Sequence, residues 1–137
     1  MNRSDLKLLS LIRLREARVL LKNKNYEGAY YLCGYVIECG LKACIAKKTK
    51  RYDFPDKKAV NDSYCHNLAT LVNTAGLSIE LDKEKKSYSI FESNWSTVKD
   101  WSQVSRYEKH TEKEAQDLFY AITDKRHGVL KWLKRHW

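Results

Sequence analysis

The sequence predicts an all-α fold, an up-and-down four-helix bundle with one additional short helix. The chain of 137 residues has only five glycines and one proline, whereas β-sandwiches and barrels need turn residues about every ten positions. Because 43% of the residues are hydrophobic and 31% are charged, the chain can build a core, and a disordered chain is excluded. The length predicts a single domain over residues 1–137, since two independent cores would be cramped.

The first third of the chain predicts two long helices. From Asp5 to Lys22, leucine and alanine recur at helical spacing with no helix breaker. A polar break follows, and Asn25 is a candidate N-cap for a second helix from about Tyr26 to Lys48. Nearly every face of this second helix is apolar or small, so we expect it to be the central helix, buried on several sides.

The remainder of the chain predicts a loop and three further helices. The loop contains the single proline, Pro55, and the last helix begins with the capping box Thr111-Glu112-Lys113-Glu114. Gly76 is the expected stop of a short helix. The predicted ranges are residues 49–65 for the loop, 66–75 for the short helix, 82–101 for a third long helix and about 111–137 for the fourth.

Two charged residues fall at predicted core positions. Glu38 lies within the apolar second helix, where a carboxylate buried without a partner is costly. Arg126 falls inside the apolar stripe of the last helix, between Ile122 and Val129. We therefore predict a buried ion pair between Glu38 and Arg126. The alternatives are a cleft lined by the Glu38 carboxylate, and a cleft or dimer interface in which Arg126 binds a phosphate.

A short segment before the last helix carries residues that suit phosphodiester chemistry. Arginine holds a phosphate with two hydrogen bonds, and histidine transfers protons near neutral pH. Arg106 and His110 are therefore candidate catalytic residues, and Tyr107 is a candidate for orienting a phosphate oxygen. The alternative interpretation is a solvated start of the last helix.

The C-terminal tail interleaves basic and aromatic residues. Lys131, Trp132, Lys134 and Arg135 are candidates for binding RNA or a partner protein, because charge and stacking together hold single-stranded nucleic acid. The same pattern is typical of a helix end that packs its tryptophans on a core. The net charge of +9 agrees with a nucleic-acid partner, an acidic protein partner or simple solubility.

Four cysteines and one apolar segment bear on compartment and metal binding. Cys33, Cys39, Cys44 and Cys65 have spacings unlike those of zinc ligands, so we expect free thiols in a reducing compartment, with no metal and no cofactor. The most apolar segment is interrupted by Glu38, and no secretory signal is recognisable at the start. We therefore expect a cytoplasmic protein without a membrane span.

Several segments resemble one known family. The stretch Asn25-Tyr26-Glu27-Gly28-Ala29-Tyr30-Tyr31-Leu32-Cys33-Gly34-Tyr35-Val36-Ile37-Glu38-Cys39-Gly40-Leu41-Lys42-Ala43 looks like the signature helix of HEPN domains. His66-Asn67-Leu68, Ala75-Gly76-Leu77 and Arg106-Tyr107 follow in the order that this family shows. The resemblance extends over most of the chain, from about Ala17 to Trp132.

This resemblance implies a helical bundle that forms a homodimer, often with a small nucleotidyltransferase as cognate antitoxin in toxin–antitoxin or defence systems. Active members of the family are metal-independent ribonucleases with an arginine, four to six intervening residues and a histidine. In this sequence Arg106 matches the location of that arginine, but only three residues separate it from His110.

Three functional hypotheses follow. The first is a HEPN-like dimeric module, weakly active or non-catalytic, that binds nucleotide, RNA or the partner nucleotidyltransferase. The second is a metal-independent endoribonuclease toxin in which Arg106 binds the scissile phosphate, His110 is general acid or base and the RNA 2′-hydroxyl is the nucleophile. The third is a purely structural interaction module whose aromatic residues form a dimer interface.

Overall fold

The computed structural model describes residues 1–49, 54 and 56–137, and within this part all regular elements are helices. The all-α bundle predicted from the sequence is confirmed. The elements are α1 (Arg3–Lys22), α2 (Tyr26–Lys48), α3 (Lys57–Ser63), α4 (Leu68–Thr74), α5 (Ser78–Ser87), α6 (Ser89–Lys99), a 3₁₀ helix (Gln103–Tyr107), α7 (Glu112–Thr123) and α8 (Val129–Lys134).

The first helix packs along α2, which is the central helix as predicted. A capping box starts α1, because the Asn2 side chain accepts from the Asp5 amide at 2.9 Å and the Asp5 carboxylate accepts from the Asn2 amide at 3.0 Å. Around α2 lie α1, α4, α7, α8 and the 3₁₀ helix. This surround buries α2 on several faces, in agreement with its apolar composition.

The length and mean hydropathy of α2 would also allow it to cross a membrane. An 18-residue window of this helix reaches a mean hydropathy of 1.2, and 61% of that window is buried inside the bundle. Burial of this kind is typical of a core helix, so the hydropathy of α2 is weak evidence for a span.

Two of the predicted element boundaries are wrong. The predicted loop contains α3, whose N-cap Asp56 accepts from the Ala59 amide at 3.3 Å; residues 50–53 and Pro55 of that loop lie outside the described residues. The predicted third helix is two helices, α5 and α6, which meet at Tyr88. Tyr88 has extended backbone, with φ −139° and ψ 108°, and this turns the Phe91 face of α6 to the core.

The predicted fourth helix is also interrupted. Its predicted N-cap is confirmed, since Thr111 Oγ1 accepts from the Glu114 amide at 3.2 Å. The reciprocal half of the predicted capping box is replaced by bonds from the Thr111 hydroxyl and His110 Nδ1 to the Glu114 carboxylate. At Asp124, however, the backbone leaves helical geometry, with φ −49° and ψ 134°. The Asp124 carboxylate then accepts from the amides of Arg126 (3.3 Å) and His127 (2.7 Å), which stabilises a turn ahead of α8.

A close approach between α2 and the segment after α6 positions the 3₁₀ helix. A Cβ atom at Gly34 would lie 1.8 Å from the Trp101 ring, so only glycine lets this indole lie on the helix backbone. Trp101 is buried, and the 3₁₀ helix that carries Arg106 follows it directly. Tight packing at Gly34 therefore places Arg106 beside the middle of α2.

Candidate functional site

The ion pair predicted between Glu38 and Arg126 is wrong. Glu38 is buried, with 3% of its surface exposed, but its Oε1 accepts from Lys42 Nζ and His66 Nδ1, both at 2.9 Å. Arg126 lies in the exposed turn after α7. The prediction extended the apolar stripe through Asp124, where the helix ends.

His66 is the residue that sequence reasoning did not connect with Glu38. It lies 28 positions along the chain, just before α4, and its side chain is 36% exposed. A carboxylate is only an acceptor, so His66 Nδ1 must carry the proton in this hydrogen bond. In the neutral ring, Nε2 is then the acceptor, and the imidazole is held in one tautomer and orientation by Glu38.

Two tyrosines extend this polar group along α2. The Tyr31 and Tyr35 hydroxyls are 3.1 Å apart, and the Tyr35 ring meets the His66 ring edge-on with centroids 6.4 Å apart. Burial, followed by the hydrogen bond with Tyr31, raises the pKa of Tyr35 above its ordinary value of 10.0. The Tyr35 hydroxyl therefore stays protonated at neutral pH and can donate a hydrogen bond.

Arg106 approaches the same tyrosines from the 3₁₀ helix. Its guanidinium is exposed and lies over the Tyr107 ring, 4.7 Å from the centroid. The Tyr31 side chain, followed by that of Tyr107, raises the pKa of Arg106 above its ordinary value. We call Tyr31, Tyr35, Glu38, Lys42, His66 and Arg106 together the α2 site.

A cleft of about 410 Å³ between α1 and α2 adjoins this site. Its polar lining comes from Arg13, Tyr31, Tyr35, Glu38 and Lys42, and its apolar lining comes mainly from the leucines of α1 and α2. This volume lies within the range of about 300 to 1,000 Å³ typical of small-molecule sites. The cleft therefore combines aromatic faces, cations and one oriented carboxylate in a space that admits a ligand.

His110, the predicted catalytic histidine, lies in a different environment. It is 9% exposed, its ring stacks on Tyr30 with centroids 3.7 Å apart, and its Nδ1 bonds Glu114 Oε2 at 2.9 Å. This hydrogen bond is the largest cause that lowers the pKa of Glu114. His110 thus contacts Tyr30 and Glu114, while the Arg106 guanidinium lies over the exposed ring of Tyr107.

The buried polar atoms that lack a hydrogen-bond partner cluster in this part of the molecule. In the portion of the chain that the structure describes, they lie on α2 or on the segment 101–110. They are Glu38 Oε2, Trp101 Nε1, Ser105 Oγ and His110 Nε2. Each such atom costs about 1 to 3 kcal/mol of folding free energy. Of the four residues, Glu38 lines the α1–α2 cleft.

The predicted binding tail divides into a buried and an exposed part. Trp132 is 3% exposed and packs against Phe91, with ring centroids 5.6 Å apart. It is therefore a core residue, and its assignment to an RNA- or partner-binding surface stays a prediction. Lys131, Lys134 and Arg135 are exposed; Arg135 pairs with Glu84, so Lys131 and Lys134 remain available to a ligand.

The state of the cysteines bears on metal binding. Cys33, Cys39 and Cys44 are buried free thiols; burial raises the pKa of Cys33 to about 12 and those of Cys39 and Cys44 to about 11. Cys65 is half-buried and also free. Over residues 1–49, 54 and 56–137, no three His, Cys, Asp or Glu side chains group as metal ligands.

Comparisons with protein-family models, curated proteins and solved structures find no match to this chain. The resemblance to HEPN domains therefore stays a prediction that rests on the sequence segments quoted above. One signal in the sequence could have found much of the α2 site: Tyr31, Tyr35, Glu38 and Lys42 follow i, i+4, i+7, i+11 spacing and share one helix face. No spacing rule adds His66, which reaches Glu38 only through the tertiary fold.

Proposed function

We propose that this chain is a HEPN-like module that binds RNA or a nucleotide through the α2 site. The observation that carries the proposal is the position of Arg106, an exposed guanidinium near Tyr31 and Tyr35, whose side chains line the α1–α2 cleft. Arginine binds a phosphate with two hydrogen bonds, and tyrosine rings stack on bases. The net charge of +9 adds sequence-independent affinity for phosphate.

Burial of His110 supports binding without cleavage by an Arg106–His110 pair. A general acid or base must reach the proton that it transfers, directly or through one water. The His110 side chain is 6% exposed and held between Tyr30 and Glu114, so access to a bound phosphodiester would require this packing to open. Its role in this proposal is to anchor the start of α7.

The test is the affinity for a labelled single-stranded RNA, measured by fluorescence anisotropy over a range of salt. Arg106→Ala should weaken binding about tenfold, because a charge-assisted phosphate contact contributes about 1.5 kcal/mol or more. Arg15→Ala is the matched control, because Arg15 is an exposed arginine on α1 and its substitution removes the same charge. Equal weakening by the two variants would contradict a site at Arg106.

A second candidate function is metal-independent RNA cleavage with His66, rather than His110, as the base. The Glu38–His66 hydrogen bond favours it, because it leaves Nε2 of a partly exposed imidazole as the acceptor. Nε2 takes the proton of the RNA 2′-hydroxyl, the 2′-oxygen attacks phosphorus and the bond from phosphorus to the 5′-oxygen breaks. Solvent water protonates that oxygen, so the products are a 2′,3′-cyclic phosphate and a 5′-hydroxyl.

RNA incubated with the protein and a chelator separates these possibilities. If His66 is the base, His66→Ala abolishes cleavage and His110→Ala preserves it, provided that circular dichroism shows both variants folded. The opposite pattern identifies His110 as the base. An absence of cleavage by the unsubstituted protein, together with Arg106-dependent binding, leaves the binding module as the function.

The homodimer, the partner nucleotidyltransferase, the toxin–antitoxin role and the cytoplasmic location stay proposals that the family resemblance supports. One surface is available for a second copy, since Leu8, Leu11 and Val19 on α1 are 41–60% exposed. Light scattering coupled to size exclusion measures the mass. Leu8→Glu and Leu11→Glu together should convert a dimer to a monomer, and a dimer that survives both changes would place its interface elsewhere.

A further inference from the structure

A second pocket lies at the other end of the chain and shares no residue with the α2 site. It has a volume of about 280 Å³ and lies between α5, the start of α6, α8 and the turn that precedes α8. Two buried rings, Phe91 and Trp132, belong to its lining. We call it the α8 pocket.

The turn before α8 positions two side chains of this pocket. The Asp124 carboxylate accepts hydrogen bonds from the backbone amides of Arg126 and His127, and Asn94 Nδ2 donates to the His127 carbonyl at 3.0 Å. These bonds hold the His127 ring against Tyr88, with centroids 4.7 Å apart and an angle of 33° between the planes. Tyr88 keeps 47% of its surface exposed, so its ring is available to a planar ligand.

Charge at the α8 pocket favours an anion. Arg126, Lys131 and Arg135 line it. Among the residues that the structure describes, Glu84 is the one carboxylate of this lining, and it pairs with Arg135. The Lys131 ammonium donates to the Lys125 carbonyl at 2.8 Å, a neutral acceptor that leaves the positive charge uncompensated. Two cations, at Arg126 and Lys131, are therefore left to neutralise a ligand.

We propose that the α8 pocket binds one nucleoside monophosphate, with the base against Tyr88 and the phosphate on Arg126 and Lys131. Aromatic rings and cations together recognise this combination of a planar base and a dianion. The pocket volume of about 280 Å³ lies just below the range of about 300 to 1,000 Å³ typical of ligand sites, which suits one nucleotide better than two. The proposal is independent of the α2 site and of RNA binding at Arg106.

Calorimetric titration with AMP tests the pocket, using a matched pair of double variants. Arg126→Ala with Lys131→Ala removes two charges that line the pocket. Lys125→Ala with Lys134→Ala removes two exposed charges from the same turn and helix that do not line it. The first pair should weaken AMP binding about tenfold or more, and the second pair by less than twofold.

Three further measurements decide the ligand class. Tyr88→Leu should weaken the binding of AMP, and adenosine or inorganic phosphate alone should bind less tightly than AMP. Arg15→Ala, which removes an exposed arginine on α1 outside the pocket, should leave AMP binding unchanged. The proposal is overturned if AMP does not bind at millimolar concentration, if both double variants weaken it equally, or if Tyr88→Leu has no effect and phosphate binds as tightly as AMP.

The same phosphate chemistry occurs in a free nucleotide and at the end of an RNA chain. A short 5′-phosphorylated oligoribonucleotide that competes with AMP for the pocket identifies the RNA end as the occupant. Failure of that oligonucleotide to compete, with AMP still bound, identifies the free nucleotide.

Discussion

The α2 site and the α8 pocket both combine aromatic and charged side chains, but they are built in different ways. In the α2 site, Glu38 is buried and is paired with Lys42 on its own helix and with His66 from the segment before α4. In the α8 pocket, Arg126 and Lys131 are exposed and come from one turn and the short helix after it. A buried charge needs partners, whereas an exposed charge is stabilised by water and stays free for a ligand.

The different fates of Glu38 and Arg126 show how strongly this depends on helix boundaries. Both residues fall at apolar positions of a helical pattern. Helix α2 continues through Glu38 and carries it into the core, whereas α7 ends at Thr123 and leaves Arg126 in a solvent-facing turn. The apolar stripe of the sequence resumes in α8 because Val129 and Leu133 are buried there.

The largest expected effect separates the two faces of α8. Trp132→Ala should lower the free energy of unfolding by about 3 to 5 kcal/mol, because it removes a buried indole that packs on Phe91. Lys131→Ala, one position earlier and exposed, should change it by less than about 0.5 kcal/mol. Urea denaturation measures both, and similar values would contradict the division of the tail into core and pocket surface.

The next effect tests the packing that carries Arg106 to α2. Gly34→Ala should lower the free energy of unfolding by about 3 kcal/mol, because the new Cβ would lie 1.8 Å from the Trp101 ring and displace it. Gly28→Ala is the control on the same helix. Its Cβ would lie 3.2 Å from the end of the flexible Leu20 side chain, so the free energy of unfolding should change by less than about 1 kcal/mol. A tolerated Gly34→Ala would contradict the close approach.

A double-mutant cycle tests the corrected partner of Glu38. Glu38→Ala and His66→Ala should show a coupling of about 1 kcal/mol in unfolding free energy, since each substitution removes the hydrogen bond between the two side chains. The cycle of Glu38→Ala with Arg126→Ala should give a coupling near zero, because Arg126 lies in the exposed turn. Coupling to Arg126 that exceeds coupling to His66 would restore the pair predicted from the sequence.

The smallest expected effect is the pH dependence of folding stability, which differs between Glu114 at the start of α7 and His136 after α8. The hydrogen bond with His110 lowers the pKa of Glu114 below 4.5, and burial, then Arg135, lowers the pKa of His136 below 6.5. In both cases the folded state favours the deprotonated form. The stability that His136 contributes is therefore fully present above pH 6.5 and is lost as the pH falls through the pKa of His136 in the folded state. The stability that Glu114 contributes is fully present above pH 4.5 and is lost as the pH falls through the pKa of Glu114 in the folded state.

Unfolding measured across this pH range checks the two windows. His136→Asn should flatten the loss that begins near pH 6.5, and Glu114→Gln should flatten the loss that begins near pH 4.5. An increase of stability on acidification through either window would contradict the assigned direction of that pKa shift.

Much of the fold could be predicted because its causes are local. Helical periodicity placed α1 and α2 within a residue or two of their observed bounds, and the predicted N-cap Thr111 marked the start of α7. The breaks at Tyr88 and Asp124 were missed, since neither residue is a proline or a glycine and the apolar spacing continues on both sides. The exposure of Arg106 was consistent with its predicted phosphate contact, but the burial of His110 against Tyr30 was not foreseen.

The sequence by itself determined the all-α class, the central position of α2 and the burial of Glu38, because apolar periodicity and the shortage of turn residues act over a few neighbouring positions. Only the tertiary structure decided which side chains meet there. His66 reaches Glu38 across 28 positions, and Trp101 reaches Gly34 across a larger separation. Such contacts form only when several helices pack into one core, so no local pattern in the chain specifies them.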